Sequence, residues 1–229
     1  EVEVIRGKKV MLEAKTGIRQ DATPPARAAE RAPTADELRE FNGNFDTMVG
    51  LARISTKDGQ IDAEAAGHQF RLTPHEDGLF TIKYRLFGMM AVRVGAFEDI
   101  HLSMANVDGR KIIVGRIGAE SLIFGEKLKP TTIPEGFWKN LGHYEIVGKI
   151  DGPTPDKLLL REDNGLLVGE AHFPEVPDLL LRIAFHAVSD NEVVTAGLGT
   201  GRGDTLRLIG AGDEAMLGFS GIQLRKKLN

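Results

Sequence analysis

Cysteine is absent from the 229 residues, which excludes disulfide frameworks, thiolate zinc sites and cysteine nucleophiles and leaves the redox compartment open. Long apolar runs are missing too: stretches such as Leu86 to Val92 are far shorter than a helical membrane span and are broken by glycine or charge. Neither an anchor nor a secretory leader is expected. Positive charge is not in excess. With a net charge of -4 and a pI near 5.9, no overall field exists to hold a phosphate backbone, so nucleic acid is not an expected partner. An initiating methionine is also lacking; Glu1 fits a processed product or a piece of something longer. The compartment, cytoplasmic or periplasmic, stays open.

What remains is ordinary globular material, 41% hydrophobic and 27% charged. Val10, Met11, Leu12 and Ala14 lie among charged residues and are followed by Gly17 where a helix would stop, so a helix is expected over about 8–16 within a 1–18 segment. Residues 19–33 are rich in Ala, Arg, Glu and Pro and read as a linker extended over a surface.

Two corresponding passages follow. Thr34 and Glu37 have capping-box spacing and lead through Leu38 and Phe41 to Gly43, Asn44 and Phe45; Thr132 and Glu135 repeat the spacing and lead through Phe137 and Trp138 to Gly142, His143 and Tyr144. Each reads as a short helix entering a strand through Gly-x-aromatic, with the copies about 99 residues apart. The endings also correspond, Lys127 and Leu128 being set beside Lys227 and Leu228. This divides the chain into a first unit over 34–129 and a second over 130–229.

Within both units the hydrophobic period is two. Phe80, Ile82 and Tyr84 alternate with Thr81, Lys83 and Arg85, and Leu181, Ile183 and Phe185 with Arg182 and His186. Asp58-Gly59, Asp77-Gly78, Asp108-Gly109, Asp151-Gly152 and Asn164-Gly165 are hairpin dipeptides, so neighbouring strands are expected to be sequential and antiparallel. The second unit holds about eight such runs, and a similar number fits the first. The expected fold class is all-β, two tandem eight-stranded antiparallel up-and-down barrels after a short helix and linker. A flattened sandwich satisfies the same alternation.

Candidate sites are sparse. Gly197 to Asp204, which includes Gly199, Thr200, Gly201, Arg202 and Asp204, is the most unusual local run. Its amides suit an anion or a protruding tip, but no phosphate-loop Lys-Ser or Lys-Thr follows, and a flexible hairpin loop is the plainer reading. Lys15-Thr16-Gly17 matches a motif of penicillin-recognising enzymes, yet it ends an expected helix, and no Ser-x-x-Lys occurs anywhere. The catalytic residues expected in this chain are therefore none. His172 and His186 share parity with polar neighbours, and His75 precedes a turn, so all three are expected to face water. No metal site and no cofactor is expected.

The short helix, Gly43-x-Phe45 and Gly142-x-Tyr144 entrances and eight-strand meander resemble a lipocalin-type barrel. The tandem pair resembles the C-terminal accessory barrels of β-lactamase-related serine hydrolases of the D-aminopeptidase class. In that family a catalytic domain ends in a helix, then come a linker and one or two such barrels; Val10 to Gly17 and the proline-rich stretch would occupy those places. The resemblance implies a non-catalytic module that gates or stabilises a catalytic serine-hydrolase domain in the same or an associated chain. It also implies cleft-gating loops at Gly197 to Asp204 and at Ser189, Asp190 and Asn191. The alternative is a stand-alone lipocalin-like protein with a small apolar ligand in one barrel.

Overall fold

The computed structural model describes residues 28–86, 90–92, 99–150, 152–199, 203–210 and 215–227. The helix expected over 8–16 lies outside them. So does the linker up to residue 27; from Ala28 to Pro33 the chain does run extended against the first unit, where Glu30 bridges His75 and the Glu76 amide donates to the Ala29 carbonyl (3.0 Å).

Helix α1 (Ala35–Phe41) begins as its sequence requires. The Thr34 hydroxyl accepts from the Glu37 amide (3.2 Å), and the Thr34 amide donates to the Glu37 carboxylate (2.8 Å). Arg31 grips that carboxylate with both terminal guanidinium nitrogens, Nη1 at 2.8 Å and Nη2 at 2.5 Å. This bond, more than any other influence, holds the Glu37 carboxyl down to about 2, against an ordinary value of 4.5. A depressed carboxyl stabilises the folded state fully above about pH 4.5 and ceases to do so as pH falls towards 2. Glu37→Gln is therefore expected to cost about 1 kcal/mol at neutral pH through the lost cap and ion pair. Thermal melts of both proteins from pH 7 to 2 check this, the two melting curves converging at the acid end.

Strands β1 (Gly43–Thr47), β2 (Gly50–Lys57), β3 (Gln60–Ala65), β4 (His68–Pro74), β5 (Phe80–Leu86), β6 (Met90–Val92), β7 (Ile100–Val107), β8 (Arg110–Ile117) and β9 (Glu120–Lys127) follow α1. All pairings are antiparallel; β5 pairs with both β4 and β7, and β1 with β9, which closes the ring, while the short β6 adds to the far end of β5. After helix α2 (Glu135–Lys139), strands β10 (Gly142–Val147), β11 (Lys157–Asp163), β12 (Leu166–His172), β13 (Leu180–Ser189), β14 (Glu192–Thr195), β15 (Thr205–Ile209), β16 (Met216–Phe219) and β17 (Ile222–Lys226) close a second barrel in sequential order. The sandwich is excluded, because β10 pairs with β17.

Alternation produces the two interiors. Phe45, Ile54, Ile61, Leu72, Phe80, Leu102 and Ile113 form the first core under Phe41 of α1; Tyr144, Leu160, Leu167, Phe185, Val193, Leu206 and Leu217 form the second under Phe137 of α2. Asp58-Gly59, Asp108-Gly109 and Asn164-Gly165 make tight hairpins with both residues at positive φ. Asp151-Gly152 instead belongs to the longer connection from Val147 to Lys157.

The repeat has a physical core that sequence spacing only partly exposes. Phe45 faces Lys127 across the β1/β9 ladder, and Tyr144 faces Lys226 across β10/β17. Lys127 reaches over the Phe45 ring, 5.7 Å from its centroid, to the Glu40 carbonyl (2.8 Å); Lys226 reaches the Lys139 carbonyl (3.1 Å). Each ammonium thus caps the end of a helix, where carbonyls lack partners. Each crosses a glycine as well: a Cβ at Gly43 or Gly142 would meet Lys127 or Lys226 at 3.0 or 3.2 Å. The partner of Lys127 is therefore Lys226, one position from the Lys227 expected, because ladder register rather than spacing defines equivalence. The second capping box is also absent: α2 begins after Pro134 with no side-chain cap, and Glu135 pairs with Lys139 (2.6 Å). His75 is a third correction. It is 4% exposed, its Nδ1 is 2.7 Å from the Ala28 carbonyl and its Nε2 is 2.9 Å from the Thr81 hydroxyl, since the linker covers the turn.

Candidate functional site

The barrels meet along one face, and this junction organises the candidate residues. In β12, Leu166, Leu167 and Val168 are all buried. Leu167 points into its barrel, whereas Leu166 and Val168 join Ala184, Ala196 and Leu51 of β2 in a separate apolar cluster between the barrels. Around it the backbones touch. Gly50, at φ +95°, lies so close to the second barrel that a Cβ would sit 2.5 Å from the Arg182 carbonyl oxygen, and one at Gly67 would sit 2.6 Å from that of Asp178.

A ring of alternating charge borders the cluster. Arg53 pairs with Asp163; Arg161 donates to Asp163 and Glu170 (2.8 Å each); Arg182 donates to Glu170 (2.9 Å) and across to Glu64 (2.6 Å), which faces Arg53 on the β2/β3 ladder. The bond to Glu170 leads the influences that raise the Arg161 guanidinium above its usual range. Charges that alternation alone would assign to water thus pair across the junction, with Asp163, Glu170 and Arg182 largely covered and Arg53 and Glu64 still reaching solvent.

The glycine-rich run begins at this junction. The Thr195 amide donates to the Asp204 carbonyl (2.9 Å), which closes the loop at its base, and the Gly199 amide donates to the carboxylate of Asp46. Asp46 is 1% exposed. A Cβ at Gly197, where φ is +81°, would lie 2.6 Å from that of Asp46, and one at Gly199 would strike the Thr47 carbonyl. Glycine is required here so that the loop base can lie flat on the first barrel. Thr200, Gly201 and Arg202 lie outside the described residues.

Ser189, Asp190 and Asn191 are not brought to the same place. They form the turn at the other end of β14, where the Asn191 amide donates to the Ser189 hydroxyl (3.3 Å) and the Asp190 carbonyl packs on Gly136 of α2. The two expected loops therefore sit at opposite ends of one strand. Asp46 and Gly50 were not legible as site residues; the only hint was the unbroken apolar run Leu166-Leu167-Val168, which suits a strand buried on both faces.

Two hollows adjoin this arrangement. A groove of about 410 Å³ between the barrels is lined by Arg110, Lys111, Lys127, Lys129, His186 and Glu126. Most of its cations are engaged: Arg110 by Glu126 (2.6 Å), Lys111 by Glu40, and Lys127 by helix carbonyls. Burial, followed by repulsion from Lys111, lowers the Lys127 ammonium. The second hollow, about 260 Å³, lies inside the second barrel among Tyr144, Ile146, Leu158, Ile183, Phe185 and Phe219. The Tyr144 hydroxyl is turned to the Asn140 carbonyl (2.5 Å), and burial pushes its pKa up to about 12.

His172 and His186 reach the surface as expected, His172 beside Asp156 (2.8 Å). Among the described residues no three His, Asp or Glu side chains are grouped to hold a metal ion, and no helix is long and apolar enough to cross a membrane. Compared with family models, with curated proteins and with solved structures, the chain matches none.

Proposed function

We propose that this chain is a non-catalytic accessory module of a β-lactamase-related serine hydrolase, bracing the catalytic domain and restricting access to its cleft. One observation carries the reading: the base of the Gly197 to Asp204 loop is fastened to the other barrel through Asp46 and Thr47, so the loop is presented from a platform that both barrels build. Loops held by a rigid scaffold are where recognition is placed. The order of proline-rich linker, barrel and barrel supports the same assignment. The chain has no Ser-x-x-Lys to supply an acyl-enzyme nucleophile, so chemistry would come from the catalytic partner domain.

The test begins with the coding sequence upstream of Glu1, where a Ser-x-x-Lys domain is expected and its absence overturns the proposal. In that longer protein, Asp46→Ala is expected to leave kcat on a minimal amide within about twofold while weakening discrimination against bulky substrates about tenfold. Unchanged discrimination rejects the cleft-restricting part.

A further inference from the structure

The two interiors differ in how they are filled at the end away from the helix. In the first barrel, Phe70 of β4 faces Tyr84 of β5, with ring centroids 5.7 Å apart, and the Tyr84 hydroxyl meets His68 Nδ1 at 3.1 Å. Three rings plug that end. The ladders allow the same positions to be found in the second barrel, because Ile61 faces Leu72 as Leu167 faces Phe185. His68 and Phe70 then correspond to Leu181 and Ile183. The place of Tyr84 falls at Gly197, two residues past the Thr195 that faces Phe185, where the chain has left the sheet for the glycine-rich loop. On the facing strand the inward residues are Gly169 and Ala171. An eight-stranded barrel has an interior that side chains only just fill, so losing three rings leaves a hollow. Glu170 lies in its wall with the carboxylate turned out to Arg161 and Arg182, the other described lining residues are uncharged, and the outer end is framed by Ile150, Pro153, Pro155 and Phe173.

From this we infer that the second barrel is a binding site for an unbranched apolar chain of about ten carbons, since a dry apolar cavity of about 150 Å³ holds benzene and this one is about 260 Å³. The tail lies between Tyr144 and Phe219, and the polar end stays in water at the rim, beside the already paired His172 and Asp156. Ala171 is the specificity-determining position, because its short side chain leaves open the space the ligand takes; at Gly169 the Phe185 ring already fills that space, 3.2 Å from an added Cβ. The site is independent of any catalytic domain and needs none to operate.

Titration calorimetry of the whole chain with 1-alkanols from hexanol to hexadecanol tests this. Affinity is expected to rise about fourfold per added methylene, the equivalent of about 0.8 kcal/mol, up to about ten carbons, and then to level off as the tail outgrows the cavity. Ala171→Trp, which fills the hollow from β12, and Ile222→Trp, which narrows its mouth, are each expected to weaken decanol at least about tenfold. Circular dichroism shows which of the two keeps the fold and is the one to score. No saturable binding, a rise that continues at the same slope to hexadecanol, or unchanged decanol affinity in the folded variant overturns the inference.

Discussion

Gly50→Val and Gly199→Val are each expected to turn one cooperative heat-absorption peak into two. Gly50 sits at φ +95° with room for no side chain before the Arg182 carbonyl, and Gly199 lies on the Thr47 backbone. Neither obstacle is a flexible side chain that can step aside. At both sites the collision with the facing backbone costs about 3 kcal/mol or more, and that cost is borne by the junction; the left-handed backbone of Gly50 adds about 1 kcal/mol of strain within the first barrel. The cluster of Leu51, Leu166, Val168, Ala184 and Ala196 is separate from both barrel cores, so the barrels can part without either one unfolding. Gly59→Val is the control. It also has positive φ, +69°, but nothing lies within 4 Å of its added Cβ, so only about 1 kcal/mol of strain and a single peak are expected. Differential scanning calorimetry separates these outcomes, and a single peak in both junction variants would mean that the barrels unfold together for another reason.

Phe45→Ala is the second large effect. Phe45 is fully buried at the closed end of the first barrel, with Phe41 in the same core and Lys127 across its face. Truncating a buried phenylalanine costs about 3–5 kcal/mol from lost transfer energy and the cavity left behind. Here the ring also seats the lysine that caps α1, so loss of the Lys127 bond to the Glu40 carbonyl should accompany it. Combined with Gly50→Val, the substitution is expected to lower the first barrel's transition and leave the second's in place. Tyr144→Phe at the matching site keeps the ring and loses only the bond to the Asn140 carbonyl, for about 1 kcal/mol. Equal effects of Phe45→Ala and Tyr144→Phe on their own barrels would show that the hydroxyl, and not the ring, secures this end.

Legibility followed the range of the forces. Hairpins at Asp58-Gly59, Asp108-Gly109 and Asn164-Gly165 were readable because left-handed backbone selects those residues locally; the hairpin at Ala66-Gly67, with φ of +52° and +84°, was not, because alanine does not advertise that conformation. The capping box forms at Thr34, and its apparent copy at Thr132 does not, since Pro134 takes the N-cap position and makes Glu135 the first helical residue instead of the third. His75 is buried for a reason its own neighbours do not carry. Its turn is polar in sequence and buried only because Ala28 to Arg31 lie across it.

The amino-acid pattern alone determined that both halves are antiparallel β units opened by a helix and a Gly-x-aromatic entrance, because period-two alternation and turn chemistry act between neighbours in the chain. Tertiary structure alone decided that each meander closes, that Asp46 holds the glycine-rich loop of the other barrel, that Arg53, Asp163, Arg161, Glu170, Arg182 and Glu64 form one charge ring, and that the second barrel is hollow where the first is plugged. Those features depend on which outward faces meet and on how much volume the inward residues add up to, and both are sums over residues far apart in sequence.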